Sequence, residues 1–196
     1  GVDVQVNWSL KLSDAGIGDG WSLPFSVYNI ASKRLWLGSG EMLDYDEAEG
    51  TLEAPGITIE RHSPDFQNVG LLLTYKNGQR EILMPASTES AVMLCRSITA
   101  ANGHTCTLEW DEPGVTDDQG APYLLSTPND DFELAFQKLK AIRNTDNSVL
   151  FSATYNSASA EFKVWPGTGE ELKYELTIDS NYCLSGVKSP DLEQHT

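Results

Sequence analysis

The chain has 196 residues, 40% of them hydrophobic, and its 13 basic and 29 acidic side chains give a formal net charge of −16. This hydrophobic content is typical of a folded globular chain and argues against an intrinsically disordered one. An acidic surface repels phosphate groups, which argues against nucleic acids and anionic membranes as partners, and no apolar run is long enough for a transmembrane helix.

The N-terminal part alternates apolar and polar residues in short runs, which is the pattern of half-buried strands. Strands are predicted, in chain order, at residues 2–12, 26–30, 34–37, 41–45 and 57–61. The first begins almost at the terminus and lacks the basic and apolar regions of a signal peptide, so we expect a fragment cut from a longer protein. Residues 44–55 are acidic and contain Gly50, and we expect them to form an exposed connection.

Two hairpins are predicted around Asn-Gly turns, which are the strongest short-range hairpin signal in a sequence. Their strands and turns are, in chain order, 71–75, Asn77-Gly78, 79–83, 96–99, Asn102-Gly103 and 105–111. A type I′ turn requires positive φ at both central residues, which Asn and Gly tolerate. We therefore expect type I′ turns at both places.

The C-terminal half continues the series of strands after a polar loop at residues 112–122. Strands are predicted at residues 123–127, 132–136, 149–155, 159–165, 172–178 and 183–187. The last residues, 189–196, are polar and are expected to form a frayed tail.

One short helix near residues 130–142 is an alternative within this half. Phe132, Phe136, Leu139 and Ile142 would share one helical face, and an aspartate precedes them as a possible cap. The alternation of apolar residues over 132–136 and the hairpins on both sides favour a strand instead.

These elements predict an all-β fold made of serial antiparallel β-hairpins that form a curved or layered sheet. We expect a single domain over 1–196, with N-terminal strands and first hairpins in 1–90, further hairpins in 91–188 and a tail in 189–196. Strict alternation implies one buried and one wetter face, and such a sheet must curl, pair or stack to hide its edges.

No group of residues predicts a catalytic, cofactor-binding or metal site, so we expect no enzyme activity. His62, His104 and His195 occur in a polar turn, beside an Asn-Gly turn and in the tail, without a nucleophile motif or metal-ligand spacing. The glycines at 16–20 lack the spacing of a phosphate-binding loop and are followed by proline where a helix should begin.

The charge and the cysteines leave alternatives open. Calcium or a basic protein would suit so acidic a chain, but residues 44–50 lack the spacing of a calcium-binding loop, and a solvated loop is the simpler interpretation. Cys95 and Cys106 flank a hairpin and could approach each other. Three buried free thiols, with Cys183 as the third, are the simpler interpretation.

The tryptophans leave a second function open. Trp8, Trp36, Trp110 and Trp165 all occur in predicted strands, where packing in the core is the ordinary role. Two rings on an open sheet face would instead form a glycan site. A carbohydrate-binding or adhesin-type β-module is therefore the alternative to a purely structural one.

Three stretches, taken in their order along the chain, resemble the Rhs/YD-repeat proteins. Residues 96–111 form one unit of strand, Gly turn and strand, and end in Trp110-Asp111 in the place of the family's Tyr-Asp. Gly18-Asp19-Gly20-Trp21-Ser22-Leu23 is similar to a stretch that commonly opens these regions, and Val164-Trp165-Pro166-Gly167-Thr168 to a motif near their end. The resemblance spans residues 16–187, ahead of or at the start of the regular repeats, and the units here are irregular in length.

The resemblance implies a β-sheet segment of a large secreted or surface-delivered bacterial protein. In that family the repeats form a hollow β-shell that encloses a toxin. The segment would then contribute wall to the shell, without catalysis, cofactor or metal of its own. Its partners would be the rest of its own polypeptide and the toxin cargo.

Overall fold

The computed structural model describes residues 24–65, 68–85, 92–111, 138–155, 159–165, 171–178 and 184–189. The strands are β1 (Val27–Asn29), β2 (Arg34–Trp36), β3 (Met42–Asp44), β4 (Leu52–Ala54), β5 (Ile57–His62), β6 (Gly70–Tyr75), β7 (Arg80–Met84), β8 (Val92–Thr99), β9 (Thr105–Asp111), β10 (Lys138–Arg143), β11 (Val149–Tyr155), β12 (Ser159–Val164), β13 (Leu172–Ile178) and β14 (Leu184–Lys188). A single-turn 3-10 helix spans Glu47–Glu49.

The described strands form one open antiparallel sheet of 14 strands. From β4 to β14, strands that are consecutive in the sequence pair with each other, and β4 and β14 are the two ends of this series. The first three strands form a meander in which β1 pairs with β2 and β2 pairs with β3. This meander joins the long sheet through a non-consecutive pairing of β1 with β8. The predicted all-β fold of serial antiparallel hairpins is therefore confirmed.

The sheet is layered because β8 is shared between two sets of strands. The first half of β8 pairs with β1 at Val92–Leu94, and the second half pairs with β9 at Ser97–Thr99. Val92, Met93, Leu94 and Cys95 are buried one after another, so both faces of the strand are covered there. A continuous apolar run is the sequence pattern of a strand that is buried on both faces.

The main core lies between the β1–β3 meander and one face of β4–β10. Tyr28 and Leu35 from β1 and β2 pack in one cluster with inward side chains of the long sheet. These side chains are Ile57, Ile59, Leu71, Leu73, Leu83, Met93, Cys95, Leu108 and Leu139. Trp36, Val92 and Leu94 form a smaller cluster on the other face of the β1–β8 junction.

Two parts of the predicted layout are corrected. Residues 44–55 are not only an exposed connection, since they contain the 3-10 helix and β4, and Tyr45 is buried. The helical alternative near 130–142 is wrong in its described part, because Lys138–Arg143 is strand β10, paired with β9 and β11. Its backbone pairs with a strand on each side, which a helix would not allow.

Several predictions on the chain stay untested. The strands at 2–12, 123–127 and 132–136, the loop at 112–122 and the tail after Ser189 lie outside the described residues. The division of the chain into 1–90, 91–188 and 189–196 also stays a prediction.

The Asn-Gly turns are not type I′ turns. Each has a three-residue loop in which only the last residue has positive φ, at 88° for Gly78 and 86° for Gly103. Residues 38–40 and 145–147 form the same loop, which ends in Gly40 at 89° and Asn147 at 69°. A three-residue hairpin loop of this kind is a type I turn followed by one left-handed residue.

The middle residue of three of these loops makes the same hydrogen bond. Asn77 Oδ1 accepts from the Gln79 amide at 2.9 Å, and Asn102 Oδ1 accepts from the His104 amide at 3.0 Å. Asp146 Oδ1 accepts from the Ser148 amide at 3.0 Å. In the Asn-Gly dipeptide, the asparagine side chain therefore accepts a hydrogen bond from the first amide after the loop, and the glycine adopts the left-handed conformation that the last loop residue needs.

Replacing Gly103 tests this turn assignment. Gly103→Ala should lower the free energy of unfolding by about 1–2 kcal/mol, because a β-carbon is strained at positive φ. Gly103→Asn should cost less, since Asn147 adopts the same conformation at the equivalent position. Urea denaturation of both variants measures the difference, and equal losses would contradict the assignment.

Candidate functional site

The acidic run at 44–50 forms a hydrogen-bonded cluster with a lysine and a tyrosine. Lys33 Nζ lies 2.6 Å from Glu47 Oε1 and 3.4 Å from Asp46 Oδ1, while the Tyr28 hydroxyl donates to Glu47 and to the Tyr45 carbonyl. Burial opposes ionisation of Glu47, but the hydrogen bonds from Lys33 and Tyr28 hold its pKa below its ordinary value. These contacts fasten the segment after β3 to the core.

A second polar cluster is buried between the two layers. Glu81 on β7 is 3% exposed, and Ser26, just before β1, is fully buried. The Ser26 amide donates to Glu81 Oε2 at 3.3 Å, and the Tyr75 hydroxyl donates to Glu81 Oε1 at 3.2 Å. The hydroxyls of Ser26 and Tyr75 are 3.1 Å apart, and the Gly38 amide donates to Ser26 Oγ at 3.2 Å. The cluster thus joins the β1–β3 layer to the long sheet.

Burial dominates the electrostatics of this second cluster. Desolvation raises the pKa of Glu81 above its ordinary value, although the hydrogen bonds from Ser26 and Tyr75 act in the opposite direction. Desolvation and the charge of Glu81 raise the pKa values of Tyr75 and Cys95 as well. A thiol with a raised pKa is a poor nucleophile, which applies to the buried Cys95.

Alternation alone does not predict this cluster, although the sequence contains a signal for it. Glu81 alternates with Leu83, whose side chain is fully buried, so both belong to the inward face of β7. Opposite them on β6 are Leu73 and Leu71. A carboxylate at an inward position of an apolar strand indicates a buried partner.

Glu81→Gln should remove one component of the pH dependence of stability. A raised pKa in the folded state means that the stability contributed by protonated Glu81 is present below the ordinary value of 4.5. That contribution is lost as the pH rises through the raised pKa. Wild-type stability should therefore fall relative to Glu81→Gln over this window, measured by denaturant unfolding at a series of pH values.

Glu81→Leu serves as the control for the hydrogen bonds themselves. It leaves the Ser26 amide without its acceptor, at a cost of about 1–3 kcal/mol for a buried group left unsatisfied, while the Tyr75 hydroxyl keeps the Ser26 hydroxyl as a partner. Parallel pH profiles for the wild type and Glu81→Gln would contradict the assignment of the raised pKa.

The histidines and cysteines do not come together in the described part of the chain. His62 is half-buried at the end of β5, and His104 is exposed in the turn before β9. Cys95 is buried and Cys106 is half-buried, and both are free. Cys106 pairs with Ile98 across the hairpin, whereas Cys95 pairs with Leu83 on the other side of β8. His195 and Cys183 lie outside the described residues.

The described tryptophans do not form a platform for a sugar. Trp36 is buried, and the Trp110 indole donates to the Cys95 carbonyl at 2.7 Å with its ring edge-on to Phe25. Trp165 is half-buried at the end of β12. Trp8 lies outside the described residues. Among the residues that the structure describes, no three His, Cys, Asp or Glu side chains are placed to hold a metal ion.

The four C-terminal strands carry an apolar face that continues the main core. Phe151 packs against the core cluster, and its ring centroid lies 5.2 Å from that of Phe162. Phe162 is directly opposite Tyr174, and Leu176 is opposite Val187. Burial decreases towards β14, where Val187 is 58% exposed.

The opposite face of β12–β14 carries a network of charges, which we call the ionic face. It consists of Glu161, Lys163, Glu171, Lys173, Glu175 and Lys188. Like charges lie directly across the strands, with Glu161 opposite Glu175 and Lys163 opposite Lys173. Diagonal contacts compensate this arrangement, since Lys173 Nζ is 2.8 Å from Glu161 and Lys163 Nζ is 3.0 Å from Glu171. The two faces of these strands are therefore chemically distinct.

A charge swap tests the ionic face. Glu161→Lys should lower the midpoint of unfolding at low salt, because it places a third lysine beside Lys163 and Lys173, and added salt should reduce the loss. The double variant Glu161→Lys/Lys173→Glu should recover the midpoint, since every directly opposite pair then has unlike charges. Thermal unfolding at two salt concentrations measures this. Failure of the double variant to recover would contradict the network.

Three strands have only one described partner. In the described part of the chain, β3 pairs only with β2, β4 only with β5, and β14 only with β13. An edge strand presents a row of backbone amides and carbonyls that can accept a further strand. β14 is the most accessible of these edges, because residues 185–189 are all exposed.

No model of a known protein family and no curated protein matches the chain. Within the described ranges, the helical content is a single turn, far short of the length and hydrophobicity needed to cross a bilayer.

Proposed function

We propose that this chain is a non-catalytic structural segment of a secreted or cell-surface Rhs/YD-repeat bacterial protein. It contributes sheet to a shell whose interior holds a toxin, and its partners are the rest of its own polypeptide and that cargo. The resemblance of residues 16–187 to this family supplies the identity of the parent. The described residues supply the physical support.

The proposal rests mainly on how the sheet continues past the part that the β1–β3 meander covers. There, each strand in the sequence is added next to the one before it. The β1–β3 meander covers β4–β10, whereas β11–β14 continue the same apolar face towards an exposed edge at β14. A sheet of this kind can be extended by every further hairpin without change to its core. Such extension is the property that a wall segment requires.

Two further features support a structural role. The hairpin β8–β9 includes most of the YD-like unit at 96–111, and its Trp110 is half-buried and packs against the core. Ser26 bonds across the two layers to Glu81 and Tyr75, which also bond to each other within the long sheet. Both features stabilise the sheet, as a structural segment requires.

The edge of β14 can be tested on the chain itself. At salt concentrations that screen its negative charge, the wild type should self-associate through this edge in sedimentation experiments. Val187→Lys should weaken the association several-fold, because a lysine at an edge strand opposes the addition of another strand.

The control is Thr154→Lys, which adds the same charge on β11, a strand paired on both sides. Its association should match the wild type. Both substitutions reduce the net negative charge, so general repulsion cannot explain a loss. A wild type that stays monomeric at all concentrations, or equal effects of both variants, would contradict an open edge at β14. Tryptophan fluorescence that responds to glycans would favour a carbohydrate-binding module.

A further inference from the structure

The two Asn-Gly sequences differ in how firmly their turns are held. Asparagine followed by glycine is the sequence most prone to spontaneous deamidation, because glycine does not shield its own amide nitrogen. That nitrogen attacks the asparagine Cγ, ammonia leaves, and a succinimide ring forms. Water then opens the ring at either carbonyl and leaves an aspartyl or an isoaspartyl residue. No oxidant or cofactor takes part.

Both turns hold the reacting groups in unreactive positions. The Gly78 amide donates to the Tyr75 carbonyl at 2.8 Å, and the Gly103 amide donates to the Ala100 carbonyl at 2.8 Å. The asparagine side chains are held by the amides of Gln79 and His104. Attack therefore requires local opening of the turn, and the rate depends on the free energy of that opening.

The turn at 76–78 is tied to its neighbours in the sheet. The Lys76 amide donates to the Gly56 carbonyl of the β4–β5 turn at 2.9 Å. A β-carbon at Gly78 would lie 3.1 Å from the Ala101 β-carbon, so the glycine packs closely against the next turn. Four residue pairs, from Leu71–Leu83 to Thr74–Arg80, hold its hairpin in register.

The turn at 101–103 shares the contact between Ala101 and Gly78 but has fewer other contacts. The three loop residues are exposed in both turns, but Tyr75 and Gln79 at the base of the first loop are half-buried, whereas residues 100–104 are all exposed. No described atom lies within 4 Å of a β-carbon built at Gly103. Its hairpin has three register pairs, from Ser97–Thr107 to Thr99–Thr105. The opening that exposes the Gly103 amide therefore disrupts fewer contacts than the corresponding opening at Gly78.

We propose that Asn102-Gly103 is a site of spontaneous deamidation in the folded protein, and that the packed turn at 76–78 protects Asn77. The aspartyl product fits the turn, since Asp146 occupies the same position in the 145–147 loop and accepts the same backbone hydrogen bond. The isoaspartyl product inserts a methylene group into the main chain and lengthens the loop between β8 and β9. Either product adds one negative charge at this end of the sheet.

The test is peptide mapping by mass spectrometry of the full chain, incubated at mildly alkaline pH with and without urea. In the folded chain, loss of the amide should be several-fold faster at Asn102 than at Asn77, and slower at both than in urea. In urea the two rates should converge, because both sites have the same Asn-Gly sequence. Asn102→Asp should unfold close to the wild-type midpoint.

Each other result overturns the proposal. Equal rates in the folded chain, or a faster rate at Asn77, would show that the packed turn gives no protection. A difference that persists in urea would assign the preference to flanking residues rather than to the fold. Folded protein that stays intact at Asn102, while urea-treated protein reacts, would show that this turn is closed as well.

Discussion

The architecture depends on β8, the strand that is hydrogen-bonded to three others. Its pairing with β7 and β9 continues the long sheet, and its pairing with β1 starts the second layer. Val92 and Leu94 pack in the smaller cluster, and Met93 and Cys95 pack in the main core. This strand therefore contributes buried side chains on both of its faces. A shift of one residue would exchange the two sets of side chains, so its register fixes the rest of the fold.

The layering divides the sheet into two regions with different chemistry. Where the β1–β3 meander covers it, the interior holds the carboxyl group of Glu81, which accepts one hydrogen bond from Ser26 in the other layer and one from Tyr75 in its own sheet. The apolar face of β11–β14 lies opposite the ionic face of β12–β14, and burial decreases to the edge at β14. The region covered by the β1–β3 meander contains the main core and stabilises the fold. The region of β11–β14 has an open face and an edge to which further strands can be added.

Alternation in the sequence predicts most of the described strands, because one face of each is buried and the other is wetter. It does not predict the start of β8, where Val92–Cys95 lacks alternation, or the layering, which depends on a distant pairing with β1. The Asn-Gly dipeptide predicts the two hairpins but not the length of their loops, since glycine at the last position suits both turn types. The only sequence signal for the buried Glu81 is that it occupies an inward position of β7 where the pattern otherwise has apolar residues.

The most direct test of a wall segment is a cryo-electron microscopy structure of the longest polypeptide that the gene encodes. We predict that another strand is hydrogen-bonded to the outer edge of β14, and that the face with Phe162 and Tyr174 is covered or turned towards an enclosed space. A structure in which β14 remains a free edge in solvent, with both faces of β11–β14 open, would contradict the account.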